Sequence, residues 1–597
     1  MSDSGANHLP TQPPAHRLPD LAANTSDKEQ ATRLKNIDTE KKELNREAKD
    51  ANPGLLKVQK LVNNDARHST GIYYLRPNIQ VEPLVDRWYA WSYLIPPATY
   101  ARNLTGRHFR IMDSYIASPS VHANAVKDPR MAGGPFIDHG GKRVDEIRLL
   151  KEKTSERRSL LLELSEAITQ LDALLRTQAT GYSLHPLYSK IPAALQGFVE
   201  LVYDLNNQPS FRLIEPLLYR SQYYDRCAQS LTLSINSGDD RPFVLSTPRL
   251  PVPEHFDWNI PFAAPEIDCL FRSKAQPIAE NAIAEMLSLE YGTSPLVRSF
   301  FTTDIPSRYI AYDGPGVRWR YFGHACILIE VRGVSILLDP VLSYTFEKGI
   351  SRYTYSDLPD SIDYALITHN HQDHVLFETL LQLRHKIKHI VVPRSSGGSL
   401  QDPSLRWLLY ECGFNSVLEL GEMEQIASEA VQITGLPFFG EHADLDIRTK
   451  LGYFVRTARH TMMFVSDSCN IDPALYKHVR VHLGPADVLF VGMECDGAPL
   501  SWLYGPLLTR RLERTMDESR RLSGSTFEQA SDMVNRFGCK EVYVYAMGQE
   551  PWLNYIMSIK YTETSRPIVE SNKLIQWCAE RGLIAERLYG EKEILDM

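Results

Sequence analysis

One short segment of this chain restricts its fold and its chemistry more than any other. An apolar strand is predicted at residues 364–368, and it runs directly into the pattern His-x-His-x-Asp-His, formed by His369, His371, Asp373 and His374. The first two histidines alternate along an extended chain, so they can face one metal ion. The chain then turns and presents the aspartate and the last histidine to a second ion. The sequence therefore predicts a dinuclear metal site at the end of a buried strand.

The length and composition of the chain predict its domain organisation. Its 597 residues exceed what one hydrophobic core usually supports, so we expect two folded domains. Residues 1–55 are rich in Pro, Ser, Asn and charge, and are expected to form a disordered tail. Residues 65–306 are aromatic-rich and are predicted to form a mixed α+β N-terminal domain. After a Gly-Pro-Gly loop at 314–316, a C-terminal domain is predicted at residues 317–597.

The C-terminal domain alternates short β-rich runs with helical segments, which is typical of an α/β fold. Strands are predicted at residues 317–322, 327–331, 334–338, 364–368, 389–392, 431–434, 453–457 and 462–465. This pattern suits two sheets sandwiched between helices, although periodicity alone does not choose that arrangement over another α/β fold.

Charge and hydropathy exclude several classes of protein. The net charge of −8 and the pI of about 6.2 provide no basic surface for a nucleic-acid backbone. No stretch approaches 18 uninterrupted apolar residues, so no membrane span is expected. The eight cysteines are scattered without a Cys-x-x-Cys pair and are interpreted as buried, reduced thiols. A cytoplasmic location is therefore expected.

Residues 144–178 form a long predicted helical segment in the N-terminal domain. An apolar stripe runs along it at helical spacing, formed by Leu161, Leu164, Ile168, Leu171 and Leu175. The stripe could pack within its own domain or against a second copy of the chain. A dimer is therefore one of two hypotheses that this feature allows.

The residues around the histidine pattern resemble the opening of the metallo-β-lactamase superfamily. The resemblance rests on Gly-His-Ala at 323–325 and Ile-Leu-Leu-Asp-Pro at 336–340, followed by the histidine pattern. It implies an αββα sandwich. Asp339 matches the first acidic position of the superfamily and is expected to orient the histidine loop rather than bind metal. A simple turn role before Pro340 is the alternative. Asp467, at the end of another apolar strand, matches the bridging aspartate.

The neighbouring residues Glu441 and His442 divide two possible chemistries. Adjacent residues of an extended loop point in opposite directions, so only one of the two is expected to bind metal. His442 would give a zinc hydrolase, whereas Glu441 would give a carboxylate-rich site that favours iron and oxygen chemistry. No histidine follows His482, so a zinc hydrolase of this superfamily would lack its last ligand. Glu494 ends an apolar strand and is a further candidate, with a capping or core role as the alternative.

A narrower resemblance extends over nearly the whole chain after about residue 70. The metal pattern with Glu441 and Asp467 resembles the non-haem di-iron β-hydroxylases of nonribosomal peptide assembly lines, of the chloramphenicol-pathway type. Three further segments carry the same resemblance, at residues 83–91, 492–499 and 547–552.

The resemblance implies a specific set of iron ligands. His369, His371 and Glu441 would hold one iron, Asp373 and His374 the other, with Asp467 between them, and His442 would be a neighbour. Glu441 and Glu494 are then the candidate catalytic residues.

The same resemblance implies the reaction and the partners. The enzyme would be a monooxygenase that uses O₂ and an external electron donor, supplied by a reductase, to hydroxylate Cβ of an amino acid. That amino acid would be aromatic or leucine-like, and tethered as a thioester to the phosphopantetheine arm of a carrier (thiolation) domain of a nonribosomal peptide synthetase. A homodimer is also implied, with the N-terminal domain serving substrate access and dimerisation. The rival hypotheses are a zinc-dependent hydrolase that uses His442, and a binding protein in which the metals only stabilise the fold.

Overall fold

The computed structural model describes residues 71–290, 292–346 and 348–596. The tail predicted at residues 1–55 lies outside the described residues. We describe the remainder as an N-terminal part up to residue 306 and a C-terminal part from residue 317, the division that the sequence predicts.

The C-terminal part contains two seven-stranded sheets. The first has the strand order β15-β14-β13-β12-β11-β10-β23 and the second β16-β17-β18-β19-β20-β21-β22. Their bounds are β10 Val317–Tyr321, β11 Ile327–Val331, β12 Val334–Leu338, β13 Ile362–Leu366, β14 Ile387–Pro393, β15 Val417–Leu420, β16 Gln425–Ala427, β17 Val431–Leu436, β18 Gly452–Thr457, β19 Thr461–Phe464, β20 Val488–Gly492, β21 Glu541–Tyr545, β22 Ile584–Arg587 and β23 Lys592–Asp596. The predicted strands match observed ones to within a few residues.

The two sheets pack face to face over an aromatic core. Trp319 of the first sheet contacts Phe490 and Tyr543 of the second, with ring centroids 5.1 and 4.8 Å apart. Phe464 stacks on Phe490 at 4.5 Å. Inward-facing apolar residues alternate along these strands, because successive side chains of a strand point to opposite faces.

Helices cover the outer faces of both sheets and complete the predicted αββα sandwich. Helices Pro473–Leu483, Phe527–Phe537 and Arg566–Ala579 carry the apolar residues that cover the second sheet. Helices Phe377–Leu383 and Leu405–Glu411 lie on the first sheet, where their apolar side chains merge with the core of the N-terminal part. The remaining helices of the C-terminal part are Leu500–Tyr504, Arg514–Ser519 and Asn554–Met557.

The N-terminal part is α+β, as predicted. Its sheets have the strand orders β3-β2-β6-β7, β8-β1-β9 and β4-β5. The strands are β1 Ile72–Leu75, β2 Ile79–Val85, β3 Trp88–Tyr89, β4 Val199–Tyr203, β5 Pro209–Leu213, β6 Gln229–Ile235, β7 Phe256–Trp258, β8 Ile278–Ala279 and β9 Phe301–Thr302. The helices are Pro97–Asn103, Phe109–Ala117, Pro119–Ala125, Val144–Arg157, Ser159–Gln178, Glu215–Tyr219, Pro265–Arg272, Glu280–Met286 and Pro295–Ser299, with a π-helical turn at Leu104–His108.

The single helical segment predicted at residues 144–178 is two helices. The break is at Arg158, whose guanidinium is buried and forms ion pairs with Asp86, at 2.6 Å, and with Asp225. This distant partner is invisible to helical periodicity. The predicted apolar stripe lies on the second helix and is buried within the core of the N-terminal part, which favours the core-packing alternative for this feature.

A buried ion-pair network ties the N-terminal part to the helix that follows the histidine pattern. Arg241 lies between Glu82, on β2, and Glu378, with nitrogen–oxygen distances of 2.5 and 2.8 Å. Tyr89 and Tyr344 donate hydrogen bonds to Glu378, each at 2.6 Å. Because Glu378 lies four residues after His374, this network lets residues of the N-terminal part restrain the loop of the histidine pattern.

Two further expectations concern the whole described chain. Among the described residues no helix is both long enough and apolar enough to span a membrane. The eight cysteines are all free thiols, and six of them are buried. The expectation that all are buried is wrong for Cys227, which is exposed, and for Cys269, which is half-buried. Cys227 lies in a short 3₁₀ turn whose backbone is capped by Asp225.

Candidate metal centre

The predicted ligands come together because the loops that carry them all leave the same edge of the two sheets. Strands β12, β13 and β14 run parallel, as do β19, β20 and β21. Ligand sites form outside the carboxyl ends of parallel strands, where the connecting loops meet. The loops after β12, β13, β17, β19 and β20 bring to this edge Asp339, the histidine pattern, Glu441, Asp467 and Glu494, respectively.

Three donor atoms of the first set surround one point. His369, His371 and Glu441 each offer one ligand atom, and these atoms lie within 4.8 Å of one another. His371 Nδ1 is 3.2 Å from His369 Nε2 and 3.2 Å from Glu441 Oε1. All three residues are buried. This set could hold one metal ion.

A second set lies beside the first and shares His369 with it. His369, His374 and Asp467 offer atoms within 4.8 Å of one another. Asp467 Oδ2 is 3.1 Å from His374 Nε2 and 3.5 Å from His369 Nε2. Asp373 Oδ2 is 3.5 Å from His374 Nε2. The shared histidine and the central aspartate give the arrangement of two adjacent metal positions.

The structure also places His324 against this site. His324, Asp373 and His374 form a third group of close donor atoms, and His324 Nε2 is 3.0 Å from Asp373 Oδ2. The backbone N–H of Gly548 donates to His324 Nδ1 at 3.2 Å, so the neutral ring carries its proton on Nε2. That proton is donated to Asp373. His324 therefore orients the carboxylate of Asp373, a predicted ligand. The Gly-His-Ala segment that contains His324 predicted a superfamily resemblance but not this contact.

The structure brings Glu441, and not His442, into a donor set. Gly440 and Glu441 have φ angles of +77° and +65°, so two successive left-handed residues turn the carboxylate inward. His442 points away, and its Nδ1 is 2.6 Å from the hydroxyl of Tyr504. The same hydroxyl is 2.8 Å from His371 Nε2. Because Nδ1 of His371 faces His369 and Glu441, its Nε2–H donates to Tyr504, which in turn donates to His442.

Asp339 holds the histidine loop, as the sequence predicts. Its Oδ2 accepts a hydrogen bond from His374 Nδ1 at 2.8 Å, and this leaves His374 Nε2 facing the donor sets. The same carboxylate accepts from the backbone N–H and the hydroxyl of Thr368, at 2.7 and 2.6 Å. Partners of this kind determine the tautomer and ring orientation of a metal-binding histidine.

The electrostatics of the site fit bound cations. Burial lowers the pKa of His369 well below its usual value and that of His371 to about 4, which leaves both rings neutral with a free lone pair. Burial, with the carboxylates of Asp467 and Asp373 nearby, raises the pKa of Glu441 well above its ordinary value. Asp467 Oδ1 is buried and has no hydrogen-bond partner among the described residues. Metal cations would offset the repulsion between these carboxylates and could be coordinated by Asp467 Oδ1.

A pocket of about 300 Å³ opens onto these ligands. Its polar wall includes His371, Asp373, Glu441, Asp467 and Glu494, and its apolar wall includes Trp502, Leu503, Leu522, Met557 and Ile559. Glu494 thus faces the pocket but belongs to none of the three donor groups. Burial and the other site carboxylates raise its pKa well above the ordinary value.

Two family models match the chain. Residues 74–305 match the "Diiron non-heme beta-hydroxylase N-terminal domain", and residues 335–503 match the "Beta-lactamase superfamily domain". Neither match includes the N-terminal 73 residues.

The chain is also similar to characterised proteins. It is 41% identical, over 526 residues, to the 4-amino-L-phenylalanyl-[CmlP-peptidyl-carrier-protein] 3-hydroxylase of Streptomyces venezuelae, which covers 87% of this chain and 98% of that protein. The crystal structure of CmlA, a diiron beta-hydroxylase from Streptomyces venezuelae, superimposes with a TM-score of 0.83 at 40% identity, covering 88% of this chain and 100% of that one. A weaker similarity, 27% identity over 190 residues, links 28% of the chain to 51% of an N-acyl-phosphatidylethanolamine-hydrolyzing phospholipase D of Caenorhabditis elegans.

Proposed function

The chain belongs to the non-haem di-iron β-hydroxylases, and on that premise we propose that it hydroxylates Cβ of an amino acid tethered as a thioester to a carrier domain of a nonribosomal peptide synthetase. The observation that carries the proposal is the buried pair of donor sets that share His369 and open onto one pocket. The relative from Streptomyces venezuelae, whose name specifies an aminoacyl group on a peptidyl carrier protein, supports the choice of substrate.

We assign the ligands in the same terms. His369, His371 and Glu441 hold one iron, Asp373 and His374 hold the other, and Asp467 lies between the two irons. The distances of 3.1 to 3.5 Å between donor atoms of these residues support the assignment. When bound, a di-iron cluster supplies the activation of O₂ needed to oxidise an unactivated carbon–hydrogen bond, chemistry that lies beyond amino-acid side chains. Electrons come from an external reductase.

The protein's own residues prepare the site for this chemistry. Asp339 and Tyr504 hold the rings of His374 and His371, and His324 holds the carboxylate of Asp373. The apolar wall of the pocket excludes water from the reacting carbon. We propose that Glu494, which faces the pocket from outside the donor sets, is the group that exchanges a proton beside the substrate.

The size and lining of the pocket support an aromatic or leucine-like side chain as the substrate. About 300 Å³ suits one side chain together with the end of its tether. The apolar wall offers one indole and several branched or flexible aliphatic side chains, which favour an apolar or aromatic group.

The decisive test combines metal analysis with turnover. Protein from iron-supplemented cells should contain two irons per chain and, once reduced, should react with O₂. Carrier domains loaded with a panel of aminoacyl groups should gain one oxygen atom on the tethered amino acid, and that atom should derive from ¹⁸O₂. Two zincs with no redox response, even after iron supplementation, would instead indicate a hydrolase.

A pair of adjacent substitutions tests the ligand assignment. Glu441→Ala should lose iron and abolish hydroxylation, because it removes a ligand. His442→Ala should retain both irons and part of the activity, because His442 contacts the ligands only through Tyr504. The reverse pattern would overturn the assignment and return His442 to the metal.

Three broader features complete the proposal. We propose that the enzyme is cytoplasmic. Its eight cysteines are all free thiols, which is typical of proteins in a reducing compartment. We also propose that it acts as a homodimer and that residues 65–306 serve substrate access and dimerisation, as its family resemblance implies. Sedimentation equilibrium of the full chain would measure the oligomeric state, and a single species of monomer mass would refute the dimer.

A further inference from the structure

A second, larger cavity lies beside the metal pocket. It has a volume of about 920 Å³ and is bounded by the helices at residues 97–117 and 159–178 and by the segment at residues 501–512. Its charged wall holds five arginines and only two carboxylates, namely Arg102, Arg107, Arg110, Arg510, Arg511, Glu166 and Asp517. We call this cavity the basic vestibule.

The basic vestibule and the metal pocket share a wall. Trp502 and Gly133 line both cavities. The indole N–H of Trp502 donates to the carbonyl of Gly133 at 3.0 Å, so this contact stands between the two spaces. The two spaces are therefore adjacent, and the Trp502–Gly133 contact separates them at this point.

Two of the arginines are built into the wall of the vestibule. Arg107 donates to the backbone carbonyls of Trp502 and Leu503, at 2.6 and 3.1 Å, and forms no ion pair among the described residues. It sits in the π-helical turn Leu104–His108, a local distortion that is frequent at functional sites. Its Nη1, like Nε of Arg102, is buried without a hydrogen-bond partner in the described part of the chain. Burial lowers the pKa of Arg107 to about 10, so it stays charged at neutral pH.

The other three arginines are available to a ligand. Arg110, Arg510 and Arg511 are exposed, and none of them forms an ion pair with another described residue. Both carboxylates of the wall are otherwise engaged. Asp517 accepts hydrogen bonds from the backbone N–H and the hydroxyl of Ser501, at 2.8 and 2.5 Å, and Glu166 accepts one from Gln170. With five arginines against two carboxylates, the wall of the vestibule keeps an excess of positive charge.

We propose that the basic vestibule binds the phosphodiester of the carrier's phosphopantetheine arm, with Arg110, Arg510 and Arg511 as its ligands. The inference rests on the proposed function and adds to it the site that recognises the tether. Guanidinium groups match phosphate geometry through paired, charge-assisted hydrogen bonds. A phosphate held there leaves the uncharged pantetheine chain to pass Trp502 and deliver the thioester to the metal pocket.

The test is a binding measurement that does not require turnover. Isothermal titration of the full-length, iron-loaded protein compares 4′-phosphopantetheine with pantetheine, which lacks only the phosphate. We expect the phosphorylated ligand to bind at least about tenfold more tightly, since one hydrogen bond to a charged group is worth at least that factor. In Arg510→Ala/Arg511→Ala and in Arg110→Ala this preference should shrink or vanish, with pantetheine affinity unchanged.

A matched control and a second readout distinguish the other outcomes. Arg514→Ala removes an exposed arginine that lies just after the segment at residues 501–512, pairs with Glu518 and does not line the vestibule, and this variant should keep the full preference. Equal affinity for both ligands in the wild type, or equal losses for both in the variants, would overturn the proposal. Tighter binding of holo-carrier than of apo-carrier, lost in the same variants, would support the arm over the carrier surface as the source of the phosphate. A retained phosphate preference without hydroxylation of any aminoacyl carrier would refute the proposed function alone.

Discussion

Removing one oxygen atom, in Tyr504→Phe, tests the reasoning about how the metal ligands are held. The Tyr504 hydroxyl lies between His371 Nε2, at 2.8 Å, and His442 Nδ1, at 2.6 Å, and the side chain is 1% exposed. Phenylalanine keeps the ring packing and removes both hydrogen bonds. The change is therefore confined to the hydroxyl and its hydrogen bonds to His371 and His442.

The expected magnitude follows from the two groups left unpaired. A buried donor or acceptor without a partner costs about 1–3 kcal/mol, so two such groups should lower the free energy of unfolding by about 2–6 kcal/mol. His371 would also lose the hydrogen bond that determines its tautomer and ring orientation. Loss of such a partner typically lowers metal affinity by about 10–100-fold.

Iron retention in a chelator competition measures the second effect directly. Tyr115→Phe is the matched control, because the hydroxyl of this buried tyrosine donates to the carbonyl of Lys142 at 2.5 Å, and neither residue belongs to the donor sets or lines the metal pocket. The control should lose stability but keep its iron affinity. The reasoning is refuted if Tyr504→Phe binds iron as tightly as the control. Complete loss of iron, as expected for Glu441→Ala, would exceed the loss of about 10–100-fold that an orienting hydrogen bond explains, and would also contradict the reasoning.

Three further changes test other parts of the structure. Asp339→Asn removes the negative charge behind the metal-binding histidine, and chelator competition should report an iron affinity about 10–100-fold lower. Gly323→Ala should lower the denaturant midpoint, with a cost of about 1–3 kcal/mol, because φ is +105° and the new Cβ would lie 2.7 Å from Trp552. Glu215→Gln should stabilise the protein increasingly as pH rises. Burial raises the pKa of Glu215 to about 7, so the native state binds its proton more tightly than the unfolded state and stability is lost between the two pKa values. The gain measured by denaturation at pH 8 should approach about 3 kcal/mol and should shrink towards pH 5, with the bond from Ser404 N–H retained. Stability that is independent of pH over this range in the wild type would contradict this explanation.

The sequence by itself determined the features that local patterns encode. Alternation and apolar runs located the strands around the site, and the spacing of His369, His371, Asp373 and His374 after β13 predicted two metals. These signals are readable because periodicity depends only on neighbouring residues. The narrower family resemblance then supplied the reaction, since the geometry of four ligands is compatible with either iron or zinc.

Only the tertiary structure decided the rest, because it depends on partners far apart in the sequence. The choice of Glu441 over His442 at the donor set depends on a left-handed turn and on Tyr504, which lies 62 residues further along the chain. His324 reaches Asp373 across 49 residues, and Arg158 breaks a predicted helix to reach Asp86 across 72. Likewise, the basic vestibule gathers arginines from two helices of the N-terminal part and from a segment some 400 residues later. No local pattern records such pairs, since packing of the two parts against one core brings them together.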